Sequence, residues 1–130
     1  MNVDNSKFKS YSAPLLRTAM SLVFLWFGTN QLLNPAKWVG FIPDFVKAIG
    51  PAETFVIGNG TLEVVLGTLL LLGFFVRIVS LVLALHLIGI VTSVGYDPTG
   101  VRDFGLMLAT FAVFFNGNDR WCLTHLVKKK

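Results

Sequence analysis

The residues from Asn59 to Arg77, NGTLEVVLGTLLLLGFFVR, decide the fold class because they are almost wholly apolar and yet contain Glu63. Such a stretch is typical of a membrane-spanning helix, since a helix satisfies its backbone hydrogen bonds within its own segment. Extended to residues 55–76, it has the roughly 20 residues that cross the hydrocarbon core. A carboxylate costs roughly 2.5–3.5 kcal/mol on the insertion scale, and each Leu, Val or Phe returns about 0.3–0.6 kcal/mol. The helix is therefore predicted to insert, and Glu63 to need a polar partner or a water-filled cavity.

The rest of the chain has the same character as this stretch. Of its 130 residues, 54% are hydrophobic and only 14% are charged, and the apolar residues fall in four blocks. We predict an all-α membrane protein with a single domain, a four-transmembrane-helix antiparallel bundle. The predicted helices cover about residues 14–33, 55–76, 76–94 and 101–116, between a polar tail at 1–13 and an interfacial basic tail at 119–130.

An interfacial loop segment is predicted between the first and second helices, over residues 36–51. It carries Trp38, Phe41 and Phe45 among charged residues, which is typical of short helices that lie in the membrane interface. One interpretation is an aromatic anchor, which we favour because interfacial aromatic residues are common in membrane proteins. The other is a lid over a cavity in the outer half of the bundle.

The distribution of basic residues predicts the orientation. One side of the four-span topology holds eight of the 11 Lys and Arg residues, and the other side holds three, at positions 37, 47 and 102. By the positive-inside rule, both termini are expected in the cytoplasm of a multi-pass protein of the plasma or inner membrane. The net charge of +4 resides mainly in the tails, which indicates contact with the lipid bilayer and excludes a nucleic-acid site.

Polar residues inside the predicted spans are the candidates for a site. His86 shares a helix face with Gly89 and Ser93, and it lies at about the depth of Glu63, roughly 12 Å from the outer boundary. The predicted polar core or ligand-binding set is Glu63, His86, Asn59, Gln31, Asn30 and Asp103. Two interpretations of Glu63 and His86 stay open: a structural hydrogen bond that fixes helix packing, or a proton or ligand site.

Other residue types limit the chemistry. Arg17 and Arg77 at the inner edge are interpreted as anchors that reach the headgroups. The single cysteine, Cys122, is expected to be inert, and it excludes a Cys-x-x-Cys dithiol. His86 alone cannot give a haem two histidine ligands, and no metal, nucleotide or nucleophile–base motif is present. We therefore identify no catalytic residue, and we expect neither a metal nor catalysis by the chain on its own.

The second helix also resembles a known family. The pattern Glu63-x3-Gly67-x5-Gly73-x3-Arg77, with leucines between, is similar to the core motif of the DoxX family of small four-helix membrane proteins. In the first helix, Arg17, Phe24, Gly28 and Gln31 before Pro35 fit the same family. Where many relatives carry a Lys at the end of that helix, this chain has Asn30-Gln31. The resemblance implies a setting in membrane redox systems, including thiosulfate:quinone oxidoreductase and peroxide or thiol stress complexes.

Three hypotheses of function follow. The first is a membrane subunit or accessory protein of a quinone-linked redox system, with a quinone or a lipid as the bound molecule and other membrane or redox subunits as partners. The second is a small proton-linked carrier or permease that uses Glu63 and His86. The third is a structural membrane scaffold or assembly factor.

Overall fold

The computed structural model describes residues 5–128, and over that range the fold is all-helical, as predicted. The elements are α1 (Asn5–Leu33), a 3-10 helix (Pro35–Phe41), α2 (Asp44–Lys47), α3 (Ala52–Leu72), α4 (Val76–Val94), α5 (Pro98–Asn116) and α6 (Thr124–Val127). Residues 1–4 and 129–130 of the predicted tails lie outside the described residues. The predicted loop segment contains the 3-10 helix and α2.

Local sequence explains where the long helices end. Asn34 precedes Pro35, which disfavours the helical region, and it ends α1 with φ −140°. Gly73 ends α3 in the left-handed conformation with φ 79°, and the Phe74 N–H donates to the Leu69 carbonyl, as in a Schellman cap. Asp97 caps α5, since its side chain accepts from the Gly100 N–H at 2.7 Å. The turns so formed make consecutive long helices antiparallel.

The long helices pack as two pairs, α1 with α3 and α4 with α5, and the pairs meet where α1 contacts α5 and α3 contacts α4. Glycines on α1 and α3 allow the closest approach. A Cβ atom at Gly28 would lie 2.8 Å from the Gly60 carbonyl oxygen, and one at Gly60 would lie 2.9 Å from the Gly28 carbonyl oxygen. The two helix backbones therefore touch at this crossing, which puts Glu63 directly against α1.

Two of the described helices, α3 and α4, are long and apolar enough to cross a membrane. By the same measure α1 and α5 are not, so two of the four predicted spans meet this test of length and composition. The reason lies in their polar residues: α5 carries Arg102 and Asp103. In α1, Arg17, Asn30 and Gln31 lower the hydropathy of the apolar part of the helix. Length and composition alone thus distinguish α3 and α4 from α1 and α5.

The start of α1 differs from the prediction. The helix begins at Asn5 rather than at Pro14, and Pro14 is buried inside it. Contacts with the C-terminal segment stabilise the added turns: Arg120 stacks over the Tyr11 ring at 3.7 Å and donates a hydrogen bond to the Ser10 hydroxyl. The ring of Trp121 also meets Tyr11 edge-on. These long-range contacts override the tendency of proline to begin a helix.

The interpretation of Arg17 as a headgroup anchor is wrong, because its guanidinium is buried inside the protein. It forms an ion pair with Asp119 at 2.6 Å, and the two side chains are 2% and 4% exposed. Arg17 also donates to the carbonyls of Leu70 and Leu71 at the end of α3. Burial raises the pKa of Asp119, but the hydrogen bonds from Arg17 and the Trp121 N–H outweigh burial, so the pKa lies below its ordinary value. Arg17 thus joins α1, α3 and the chain after α5.

Cys122 and Arg77 lie at the same end of the bundle. Burial raises the pKa of the Cys122 thiol, which lowers its reactivity at neutral pH. The cysteine backbone packs so closely on Gly73 that a Cβ there would lie 2.5 Å from the Cys122 Cα. Arg77 is exposed near Gly117, and its role as an anchor stays a prediction.

Candidate functional site

The site is built around Glu63, which lies on the side of α3 that faces α1. This residue is 3% exposed. Gln31 of α1 donates from Nε2 to Glu63 Oε2 at 3.1 Å. Asn59, one turn earlier on α3, donates to Gln31 Oε1 at 2.6 Å and to Glu63 Oε1 at 3.3 Å. The carboxyl oxygens of Glu63 thus accept hydrogen bonds from two side-chain amides. The polar partner that the sequence requires for Glu63 is therefore present.

His86 of α4 completes the cluster. Its Nε2 lies 3.3 Å from Glu63 Oε1, which joins the two helix pairs through side chains. His86 and Gln31, two members of the predicted polar set, are thus both in contact with Glu63. The depth estimate predicts the contact with His86, because α3 and α4 are antiparallel and the two residues lie at the same depth.

A cavity of about 630 Å³ opens beside this cluster, at the end of the bundle that carries the loop segment. Its volume lies within the range of roughly 300–1,000 Å³ that is usual for small-molecule pockets. Glu63 and His86 form one side of it, and apolar residues of α1, α4 and α5 form much of the remainder. Gly89 and Ser93, on the same face as His86, also line it. The cavity therefore combines an apolar wall with a few converging polar groups.

The loop segment covers the cavity with aromatic rings. Trp38, Phe41 and Phe45 all line it, and Trp38 packs edge-on against Phe27 of α1 at 5.7 Å between ring centres. The sequence favours the aromatic-anchor interpretation of this segment, whereas the structure gives its rings a place in the cavity wall. Phe41 and Phe45 remain 49% and 72% exposed, so the same rings have surface left for an interface. Covering a cavity and contacting lipid are thus compatible here.

The remaining predicted residues, Asp103 and Asn30, also line the cavity. Asp103 is buried and accepts from the neighbouring Arg102 at 2.8 Å, and the Arg102 guanidinium lies 4.9 Å above the Phe27 ring. Asn30 lines the cavity, but its amide donates to the Trp26 carbonyl rather than to Glu63. The six predicted polar residues therefore all line one cavity, with Asn30 and Asp103 outside the hydrogen-bonded cluster.

Comparison with known proteins places the residues of the cluster within one family. The DoxX family model matches residues 13–95, which include Gln31, Asn59, Glu63 and His86. The chain belongs to the DoxX family. A relative of this DoxX protein is the "Uncharacterized membrane protein Rv3486" of Mycobacterium tuberculosis, 27% identical over 88% of this chain and 80% of the relative's length. No solved structure matches the chain. The chain is therefore a membrane protein in contact with a lipid bilayer.

Sequence reasoning missed two charged residues that line this DoxX cavity, Arg102 and Lys37. In the sequence, Arg102 enters only the count of basic residues that predicts the orientation. A signal was present, since Thr99, Arg102 and Leu106 share a helix face by their spacing. No such signal exists for Lys37, because the direction of its side chain depends on the 3-10 helix. Trp38 belongs to the segment for which a lid over a cavity is one of the two interpretations.

Glu63 offers a test of how far the cluster stabilises the fold. Glu63→Gln keeps the side-chain shape and an acceptor oxygen, so we expect nearly unchanged unfolding of the purified protein. Glu63→Leu leaves the donors of Gln31 and His86 without this acceptor, and each unsatisfied donor costs about 1–3 kcal/mol. The measurement is the free energy of unfolding in mixed micelles, with Thr61→Leu as an exposed control on the same helix. A Leu variant as stable as the wild type and the Gln variant would show that the cluster contributes nothing to folding.

Proposed function

We propose that the protein crosses the membrane four times, through α1, α3, α4 and α5, with both termini in the cytoplasm. The support comes from apolar side chains that no other part of the described chain covers. Leu15 and Leu22 of α1 are 63% and 55% exposed, and Phe104 and Leu108 of α5 are 49% and 52% exposed. These surfaces flank those of α3 and α4, and lipid would cover all of them. The eight-to-three charge distribution supports the orientation.

We propose further that this protein is an accessory subunit of a quinone-linked membrane redox system, and that its cavity binds the head group of a quinone-class ligand. The single observation that carries this proposal is the cavity beside Glu63 and His86. A flat ring with carbonyl or hydroxyl groups needs apolar and aromatic walls together with a few hydrogen-bonding groups. Phe27, Trp38 and Phe41 supply the aromatic surface, and the imidazole of His86 supplies a hydrogen-bonding group.

The redox setting comes from the family resemblance, and the accessory role comes from the residues. The described residues hold no group of three or more His, Cys, Asp or Glu side chains that could bind a metal ion. The one cysteine is buried far from the cavity, against Gly73. On this proposal, electrons would reach or leave the ligand through another subunit, while this chain binds and orients the ligand.

Gly89 gives the sharpest test of ligand binding. It lines the cavity on α4, and a Cβ atom there would meet nothing within 4 Å, so Gly89→Phe should fill the cavity without straining the helix. A short-chain quinone should quench the fluorescence of Trp26 and Trp38 in the wild type, and we expect Gly89→Phe to abolish most of this saturable quenching. The measurement is a quinone titration of purified protein in lipid nanodiscs.

The matched control for this experiment is Gly105→Phe on α5. Gly105 is equally open, with nothing within 4 Å of an added Cβ, and it does not line the cavity. It should therefore leave quenching unchanged. Quenching that rises linearly with quinone in the wild type, or that survives in Gly89→Phe, would contradict the proposal. Displacement of the quinone by added phospholipid would instead identify a lipid as the occupant.

A proton-linked carrier is the second candidate, and the Glu63–His86 pair favours it. An acid and an imidazole at 3.3 Å beside a cavity could exchange a proton with a solute. Uptake of a solute into liposomes that stops in Glu63→Gln would support the carrier. Quinone binding without any uptake would support the redox role.

A further inference from the structure

One nitrogen of His86 is available to a ligand. Nε2 is directed at Glu63, and the described residues place no hydrogen-bond partner at Nδ1. None of the described residues has a fully buried side-chain nitrogen or oxygen without a partner, so Nδ1 has accessible surface. The His86 side chain is 19% exposed and lines the cavity. The free nitrogen is therefore within reach of a molecule in the cavity.

The partner on Nε2 determines what Nδ1 can do. With a carboxylate at Nε2, that nitrogen carries the proton of a neutral imidazole, and Nδ1 is then an acceptor with a lone pair. A carboxylate behind an imidazole also stabilises the imidazolium that forms when the ring takes a second proton. Glu63 and His86 are thus arranged as a general base, and Nδ1 is the atom that would accept a proton from a molecule in the cavity.

We infer that Glu63 and His86 act as a base toward a ligand with an acidic hydroxyl group, a phenol, hydroquinone or enol, and bind it as its anion. This inference rests on the proposed function, because it names the chemistry of the molecule in the same cavity. The hydroxyl O–H bond breaks, its proton moves to Nδ1, and the bonding electron pair stays on the ligand oxygen. The step needs no oxidant or reductant, and the total charge of the cavity does not change.

The surrounding charges fit this transfer. Besides Glu63 and His86, the charged residues that line the cavity are Lys37 on the 3-10 helix and Arg102 and Asp103 on α5, while α1 contributes the neutral amides Asn30 and Gln31. Glu63 and Asp103 balance Lys37 and Arg102, so the empty cavity is close to neutral with neutral His86. Arg102 is already paired with Asp103. The oxyanion would then lie beside the new imidazolium, with Lys37 as a further cation lining the same cavity.

The experiment uses para-nitrophenol, whose phenolate is yellow and whose phenol is colourless. Purified full-length protein is titrated with the probe at a pH where most of the free probe is the neutral phenol. We expect the bound probe to show the phenolate spectrum in the wild type. In Glu63→Gln and in His86→Asn we expect the probe to bind with the phenol spectrum, that is, with loss of the phenolate band. Binding itself is followed separately by equilibrium dialysis.

The outcomes separate this inference from the proposed function. A probe that binds the wild type as neutral phenol would overturn the base role and leave ligand binding intact. A phenolate band that persists in His86→Asn would also overturn it, because Lys37 and Arg102 alone would then select the anion. Failure of both the probe and a short-chain quinone to bind in the cavity, judged by insensitivity to Gly89→Phe, would overturn the proposed function together with the inference.

Discussion

Arg17→Met is expected to lower the free energy of unfolding by about 3–5 kcal/mol, because it leaves the buried carboxylate of Asp119 without its counter-charge. The variant also removes the donors to the carbonyls of Leu70 and Leu71, where α3 ends. Three parts of the chain lose their common contact, namely α1, the end of α3 and the segment after α5. The measurement is unfolding of purified protein in mixed micelles, followed by circular dichroism.

Arg77→Met is the matched control, since it makes the same substitution at an exposed arginine at the same end of the bundle. We expect its effect to stay within about 0.5 kcal/mol. The double variant Arg17→Met/Asp119→Leu should recover much of the lost stability, because apolar replacement of a whole buried pair is often neutral or stabilising. Equal losses in the Arg17 and Arg77 variants would contradict the assignment of Arg17 to the interior.

Gly60→Leu is expected to prevent correct assembly of α1 against α3, and it should lower the yield of monodisperse protein severely. A Cβ at position 60 would lie 2.9 Å from the Gly28 carbonyl oxygen and 3.0 Å from the Gln31 Cβ, so α1 must move away. Overpacking of a rigid core typically costs about 1–3 kcal/mol. We expect the cost at position 60 to lie at the upper end of this range or above it, because the added side chain meets backbone atoms. The shift should also separate Gln31 from Glu63 and abolish saturable quinone quenching.

Gly58→Leu serves as its control on the same helix. Nothing lies within 4 Å of a Cβ at position 58, so a leucine there adds apolar surface without moving α1. We expect its yield and its quinone quenching to match those of the wild type. Comparable damage from both substitutions would mean that the backbone crossing at Gly28 and Gly60 does not exist in the membrane.

Much of the site was predictable because it depends on helical periodicity. The spacing of Gly60, Glu63 and Gly67 predicts one small-residue face, and that face meets α1. The equal depth of Glu63 and His86 follows from a short turn between two antiparallel helices. Both arguments need only the rise of a helix and the need to pair an acid in an apolar segment.

The contacts between α1 and the segment after α5 could not be predicted in the same way. The pairing of Arg17 with Asp119 joins positions 102 residues apart, and no local pattern connects them. Snorkelling is the usual behaviour of an arginine near a helix end, so the general tendency gave the wrong answer here. The extra turns of α1 have the same origin, since they depend on contacts of Tyr11 with Arg120 and Trp121.

The role of the loop segment could be predicted only in part. Its aromatic composition predicts an apolar contact, but it cannot distinguish lipid from a cavity, since both accept the same rings. Only the contact of Trp38 with Phe27, and of Phe41 with Trp38, assigns part of that surface to the cavity wall.

The most direct test of the proposed quinone site is photolabelling with an azido-quinone in lipid nanodiscs, followed by mass spectrometry of the labelled positions. The account predicts label on cavity residues such as Phe27, Trp38 and Ile90, with strong reduction by excess unlabelled quinone and in Gly89→Phe. Val82 and Leu85 lie on the same helix as His86 but are exposed outside the cavity, at 40% and 53%. Label confined to such lipid-facing positions, and unchanged by competitor, would contradict the account.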